Sequence, residues 1–476
     1  MAKRKPIKKK DPNNIIFTRF MFIVALFVVW IGVIGVRLVH LQISEYKWLR
    51  DRALNQRRDE SKSKMLRGSI YDRSNRALAI SVKVKSLYAD PQDIEDVPAT
   101  AQKLSVVLKQ KPFEISATIN DAKAKGKRFV WLARKIEEDV AVKINEKLKD
   151  SEIKKYDEPK VKGLHWKEEQ KRSYPQNSLA AQVIGFSDLD DKGKAGIELS
   201  QEEHLHGIVV KSWKDRDRLG RVYEESEADD EREPPKDVIL TISNSIQYKV
   251  EEALKEGVEA ARAKSGIAIA MDPKTGEILA MANYPTFDLN KFGEVAPEFF
   301  TNRAIQNSYA PGSVFKLIPF SGAIQDKLIS PNEMLDCSGG TLEVAGRVFN
   351  DKHCANKISF TEAFAVSSNI GAIRTGQKLS KEKFHHYIRQ FGFGEQTGIE
   401  LPAEAKGIVR ASENWNGDSL ASMSIGYEIG VTALQTATAF ATIANDGVRV
   451  NPHIIKEIRQ ADGKVFSTTE AEKNQI

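Results

Sequence analysis

The sequence predicts an α+β protein made of one N-terminal membrane helix, an α+β module, and a second domain that carries the chemistry. Three observations predict it. Phe20 to Val36 is an uncharged run of 17 residues between Arg19 and Arg37, the pattern of a membrane span. Beyond it, strand-like apolar runs alternate with charged, helix-compatible stretches. Between Glu224 and Glu233 seven acidic residues and one arginine, closed by Pro234 and Pro235, break that alternation. Such a composition resists burial and marks a solvated loop and a domain boundary. With 476 residues, 41% of them hydrophobic, the chain can build cores for two or three domains.

Residues 1–14 form a basic cytoplasmic tail: Lys3, Arg4, Lys5, Lys8, Lys9 and Lys10 stand against Asp11, so five of the net +7 charges sit there. The remainder is close to neutral and has no basic stripe interleaved with aromatics, which excludes nucleic acid as a partner. Residues 15–39 are the membrane helix. Seventeen residues at about 1.5 Å each cover roughly 26 Å, and Ile15, Ile16, Phe17, Leu38 and Val39 extend the apolar span. The run exceeds a signal-peptide core and no small-x-small cleavage site follows Val36, so it reads as a retained anchor. The basic cluster places the N-terminus in the cytoplasm and everything after about residue 40 outside. Cys337 and Cys354 fall in that exported part, where a disulfide is permitted but not required.

Residues 40–235 form the first module. His40 to Lys64 reads as a helix continuing out of the membrane. Arg67 to Ala79 reads as strand, turn and strand centred on Ser74 and Asn75. Ser86 to Ala89 and Phe129 to Leu132 are strand-like, and Glu137 to Lys149 is a charged helix. The eight histidines include no H-x-x-x-H pair, so His204, His206, His385 and His386 read as surface residues rather than metal ligands. Residues 236–476 form the second domain: a strand at Asp237 to Ile242, a helix at Ser245 to Ala263, and a hairpin of Ser265 to Met271 with Glu277 to Ala282 around Asp272-Pro273-Lys274-Thr275-Gly276.

The chemistry begins at Tyr309-Ala-Pro-Gly-Ser-Val-Phe-Lys316, followed by the apolar run Leu317 to Ile324. A helix starting at or just after Gly312 puts Ser313 and Lys316 one turn apart on one face, the amine within reach of the hydroxyl. A lysine among apolar residues can lose enough basicity to take the serine proton, which makes Ser313 the candidate nucleophile and Lys316 its base. Pro319 should bend this helix. Four other S-x-x-K matches, at Ser44, Ser61, Ser151 and Ser380, lie in charge-rich surroundings and read as solvated surface. Further on comes Ser367-Ser368-Asn369, between apolar stretches where a hydroxyl and an amide need partners. Ser367 could pass a proton and Asn369 could hold a substrate carbonyl; helix capping is the alternative use. Two other S-x-N matches, at Ser330 and Ser412, read as turn and cap residues.

Together the two motifs resemble the active-serine penicillin-recognising enzymes. With the single anchor, Arg67-Gly68 and Asp72-Arg73, Gly196-Ile197-Glu198, and Gly426-Tyr427-Glu428 followed by Thr432-Ala433-Leu434-Gln435, the chain resembles the class B penicillin-binding proteins, in particular their cell-division branch through Arg67 to Pro91. The resemblance implies an elongated pedestal domain of the dimerisation type and a transpeptidase domain with a mixed sheet and helices on both faces. It implies a D,D-transpeptidase related to D-Ala-D-Ala carboxypeptidases, needing no metal and no organic cofactor. Ser313 would attack a D-Ala-D-Ala stem peptide of peptidoglycan, Lys316 would take its proton, Ser367 would relay a proton, and Asn369 would position the substrate. β-Lactams would acylate the same serine. Glycan polymerisation would come from a partner, the membrane polymerase FtsW. A catalytically silent penicillin sensor and a structural division protein are the competing readings.

One departure stands out. The K-T-G triplet of this chain, Lys274-Thr275-Gly276, lies upstream of the nucleophile and reads as the hairpin turn, whereas the family's functional triplet lies downstream of S-x-N. Arg374-Thr375-Gly376 is too close to Asn369. The expectation is that the sequence stops short of that strand, and that the chain ending at Ile476 acylates poorly and leaves a sheet edge unpaired.

Overall fold

A computed structural model of the chain describes residues 12–47, 49, 58–148, 161–206, 209–216, 222–227, 234–354 and 356–476. The basic cluster Lys3 to Lys10 lies outside those residues. The chain divides into two compact units, Met1–Lys64 with Val209–Arg232, and Met65–Ile208 with Glu233–Ile476.

In the first unit the helix Pro12–Val39 runs for 28 residues. Phe20–Ile43, 24 residues, is long and apolar enough to cross a membrane, and none of its most apolar stretch is buried in protein. The helix expected over His40 to Lys64 breaks: a π-helical turn spans His40–Ser44, and Arg58–Lys64 is a strand paired antiparallel with Val209–Arg216. Arg58–Lys64 contains no apolar residue, so it offers no stripe for a helix to bury. Its backbone is satisfied by a distant strand instead. Val209–Arg216 also pairs with Val222–Glu227, so Glu224 to Glu227 belong to a strand and not to the expected acidic loop; 228–233 lie outside the described residues.

In the second unit the hairpin Ile70–Tyr71 and Ala77–Ala89 turns where expected. Asn75 takes φ 61°, a left-handed conformation that Asn tolerates, and Asp72 Oδ1 accepts the Ser74 and Arg76 amides at 2.8 Å each. Ala77–Ala89 then pairs on one side with Leu164–Ser173 and on the other with Val130–Ile136. The expected helix is present as Glu138–Leu148. Two further helices, Val97–Leu108 and Pro112–Ala124, were not anticipated. Both open with proline in the first turn, where the missing N–H has no partner to lose, and they bury Leu104, Ile115 and Ile119 with Leu87, Ile144 and Leu164.

The hairpin also joins a sheet with strands from the far end of the chain, in the order Val465–Thr468, Ile455–Arg459, Asp237–Leu240, Ile70–Tyr71, Ala77–Ala89. Ile70 pairs in parallel with Val238. Beside this sheet Glu198, fully buried, is clamped by Arg67 Nε at 2.7 Å and Arg172 Nε at 2.6 Å. Two guanidinium partners balance a carboxylate that would otherwise be costly to bury. Helix Asn244–Ala260 and the hairpin Gly266–Met271 with Ile278–Tyr284 follow as expected. The Lys274-Thr275-Gly276 triplet is that hairpin's turn: the Gly276 amide donates to Asp272 O at 2.9 Å, and Gly276 takes φ 81°.

Candidate active site

Gly312–Lys316 is a 3-10 turn that passes into the α-helix Leu317–Gln325. In a 3-10 turn residues i and i+3 eclipse, which stacks Ser313 over Lys316. The α-helix starts only at Leu317, so Pro319 sits in its first turn, a position that tolerates proline, rather than in a helix interior. Phe315, Leu317 and Ile318 bury this segment against Phe384, Ile388, Trp415 and Val431. As a result Ser313 is exposed while Lys316 is 2% exposed.

The Lys316 ammonium does not donate to Ser313. Among the described residues its hydrogen bonds go to Ser367 O at 2.5 Å, Ser367 Oγ at 3.0 Å and Asn369 Oδ1 at 2.8 Å. The two motifs, far apart in sequence, therefore meet at one amine. Burial pushes Lys316 down to about 8, against the attraction of the Asp351 carboxylate. Ser313 Oγ, exposed above the amine, makes no hydrogen bond among the described residues, which leaves it open to a reaction partner.

Ser367 holds φ 57°, an uncommon conformation for a residue with a side chain. It links helix Phe360–Ala365 to helix Asn369–Gly376. The capping role goes to neither of the two candidate residues: it belongs to Ser368, whose Oγ accepts the Gly371 amide at 2.9 Å. Asn369 is thereby free to use its side chain elsewhere, its Nδ2 donating to Asn350 O at 3.1 Å while its Oδ1 accepts from Lys316.

The loop after helix Ser419–Ser424 packs against the Ser313 turn. The Gly312 amide donates to Gly426 O at 3.1 Å, and Tyr309 and Val431 exchange backbone hydrogen bonds at 3.0 and 2.9 Å. Gly426 takes φ 81°, and a Cβ there would lie 2.0 Å from Gly312 O, so only glycine fits. Thr432 then opens helix Ala433–Ala444 with a capping box completed by Gln435.

The family described as penicillin binding protein transpeptidase domain matches residues 266–476, and the penicillin-binding protein dimerisation domain matches residues 62–240. A probable peptidoglycan D,D-transpeptidase, PenA of Neisseria meningitidis, is 30% identical over 470 residues, 98% of this chain and 77% of its own length. The peptidoglycan D,D-transpeptidase FtsI of Escherichia coli is 30% identical over 455 residues, 94% of this chain and 74% of its own. The chain belongs to the class B penicillin-binding proteins. The fold agrees: a crystal structure of penicillin binding protein 3 from Mycobacterium tuberculosis, complexed with aztreonam, superimposes with a TM-score of 0.63 at 26% identity, covering 87% of this chain and 72% of that one. A peptidoglycan synthetase from Bifidobacterium adolescentis shares the fold at a TM-score of 0.66 and 24% identity, covering 88% and 79%.

In this class B penicillin-binding protein the motif residues Ser313, Lys316, Ser367 and Asn369 come together, and the competing serine Ser380 does not join them. Ser380 instead caps helix Lys381–Gln390, and Ser151 lies outside the described residues. Cys337 and Cys354, left open by the sequence, form a disulfide with 5.8 Å between their α-carbons. Asp351, which belongs to no motif in the sequence, accepts hydrogen bonds from Ser368 Oγ and the Ile370 amide.

Proposed function

We propose that this protein is a peptidoglycan D,D-transpeptidase acting through a serine acyl-enzyme in septal wall synthesis. The observation that carries the reading is the convergence of both motifs on a buried, weakly basic Lys316 beneath an exposed Ser313. Ser313 Oγ attacks the carbonyl of the penultimate D-Ala of a stem peptide, forming an ester as the bond to the terminal D-Ala breaks. The hydroxyl proton goes to Lys316 Nζ and passes through Ser367 Oγ to the leaving amine. Asn369 holds the substrate backbone. An amine of a neighbouring stem then attacks the ester, forming the cross-link and freeing Ser313. A β-lactam carbonyl enters by the same first step, giving a covalent penicilloyl-serine.

The remaining parts follow from that chemistry. Residues 1–14 lie in the cytoplasm, 15–39 cross the bacterial cytoplasmic membrane once, 40–235 act as the pedestal, and 236–476 hold the transpeptidase site outside, where its substrate is. FtsW and other division proteins are the partners, FtsW supplying the glycan strand. One experiment tests site and topology together: protoplasts with an intact membrane, carrying the full-length gene product, are treated with a membrane-impermeant fluorescent penicillin. Wild type should label and Ser313→Ala should not. Equal labelling of both, or labelling only after lysis, would overturn the reading.

A further inference from the structure

We propose that Glu428 is a positioning residue for Ser313: clamped between Arg347 and Arg410, it fixes the loop of Gly426, Tyr427 and Glu428 on which the Ser313 turn is seated. The inference rests on the functional reading above and adds to it a group that neither motif contains. It also gives a use to the last residue of Gly426-Tyr427-Glu428, which carries part of the family resemblance and takes no part in the proposed chemistry.

Glu428 takes φ 57°, a left-handed conformation that glycine adopts freely and a residue with a side chain only at a cost. Two residues before it, Gly426 at φ 81° accepts the Gly312 amide on its carbonyl at 3.1 Å, next to Ser313. Backbone strain of that kind persists only where the surroundings over-determine it, and here they act on the Glu428 carboxylate. Its Oε2 accepts from Arg410 Nη2, and from Ser419 Oγ at 2.8 Å. Its Oε1 lies 3.6 Å from Arg347 Nη1. Ile408 and Gly430 exchange backbone hydrogen bonds at 2.7 and 3.0 Å, which sets the segment bearing Arg410 alongside the segment bearing Glu428. Glycine would suit this backbone better, so what glutamate supplies is the clamp.

Through Arg347 the clamp reaches the other half of the site. Arg347 Nη1 also donates to Ser422 Oγ at 2.9 Å and to Asp418 Oδ2 at 3.3 Å, within and just before the helix Ser419–Ser424. Further along the same strand, Asn350 O accepts from Asn369 Nδ2 at 3.1 Å. The strand Arg347–Asn350 therefore meets the Glu428 loop at its first residue and the Asn369 turn at its last. Half-exposed ion pairs such as these add little to stability. Their effect is on placement: they keep the loop that seats Ser313 in register with the turn that bonds Lys316.

Two variants separate the backbone cost from the clamp. Glu428→Gly removes the carboxylate together with the left-handed strain; Glu428→Gln keeps the strain and an acceptor for Arg410 but no charge. In the full-length protein, penicillin acylation at Ser313 should slow roughly tenfold in Glu428→Gly and about threefold in Glu428→Gln, the scale of a displaced attacking group. Glu428→Gly should nevertheless melt above Glu428→Gln, because its backbone is relieved. A residue with a merely structural use would move both readouts together. The Gly312 amide, bonded to Gly426 O, should exchange with solvent about tenfold faster in Glu428→Gly than in wild type. A wild-type acylation rate in Glu428→Gly, or unmoved Gly312 exchange, would overturn the inference. If wild type fails to acylate at Ser313, the functional reading falls, and the Gly312 exchange alone still decides the role of Glu428.

Discussion

Lys316 carries the site at the scale of single residues. In the proposed reaction the base must be a neutral amine when Ser313 attacks, and burial pushes Lys316 down to about 8. Below that pH the neutral fraction falls about tenfold per unit, so the rate of penicillin acylation should rise steeply from pH 6 to pH 8 and level off above about pH 9. A flat profile measured over that range would show that another group takes the proton. Ser313, Lys316, Ser367 and Asn369 were legible as candidates because their types and local settings suggest a chemistry. Asp351 was not, since Asn350-Asp351-Lys352 has no motif and the acid acquires its meaning from Ser368 and Ile370, which reach it only by folding. Likewise, proximity of Ser313 and Lys316 was readable from one turn of helix, whereas the choice of Ser367 and Asn369 as the amine's partners was not.

Between elements, the site depends on how closely the Gly426 loop approaches the Gly312 turn. Gly426→Ala would place a Cβ 2.0 Å from Gly312 O at a φ of 81°. Relieving that clash must move the Ser313 turn, so the variant should lose more than about 1 kcal/mol of stability and acylate more slowly. A thermal melt and a labelling time course check both; an unchanged melt with wild-type labelling would show that the loop can shift freely. Elements with their own periodicity and turn residues were readable, as at Asp72 to Arg76 or Asp272 to Gly276. Arg58–Lys64 was misread as helix because its partner, Val209–Arg216, is remote in the chain and local pattern cannot reveal it. The helices Val97–Leu108 and Pro112–Ala124 were overlooked because their buried faces are short and interrupted by polar residues.

For the whole molecule, the sheet ties Ile70 near one end to Val238 and Ile455 further on, and Glu198 is held between Arg67 and Arg172. The residues that carry the family resemblance outside the motifs, Arg67 and Glu198 among them, are thereby assigned a structural use. The proposed septal role belongs at this scale too, because it concerns where the protein acts rather than the chemistry proposed for Ser313. Depleting the full-length protein should give long, unseptated cells, scored by microscopy. Rounded cells that still divide would assign it to elongation.

By itself the sequence determined the apolar helix, the strand, helix and hairpin that precede Ser313, and the four candidate residues, because each rests on local pattern or on side-chain chemistry at short spacing. Tertiary structure alone decided which groups share the Lys316 amine, that Ser368 rather than its neighbours caps the helix, that Cys337 pairs with Cys354, and that Asp351 accepts hydrogen bonds from Ser368 and Ile370. Those are contacts between segments distant in the chain, made possible by burial. Burial is also what lowers the basicity of Lys316 and makes each unpaired polar group costly, so the same packing that hides these partners from a linear reading gives them their chemical effect.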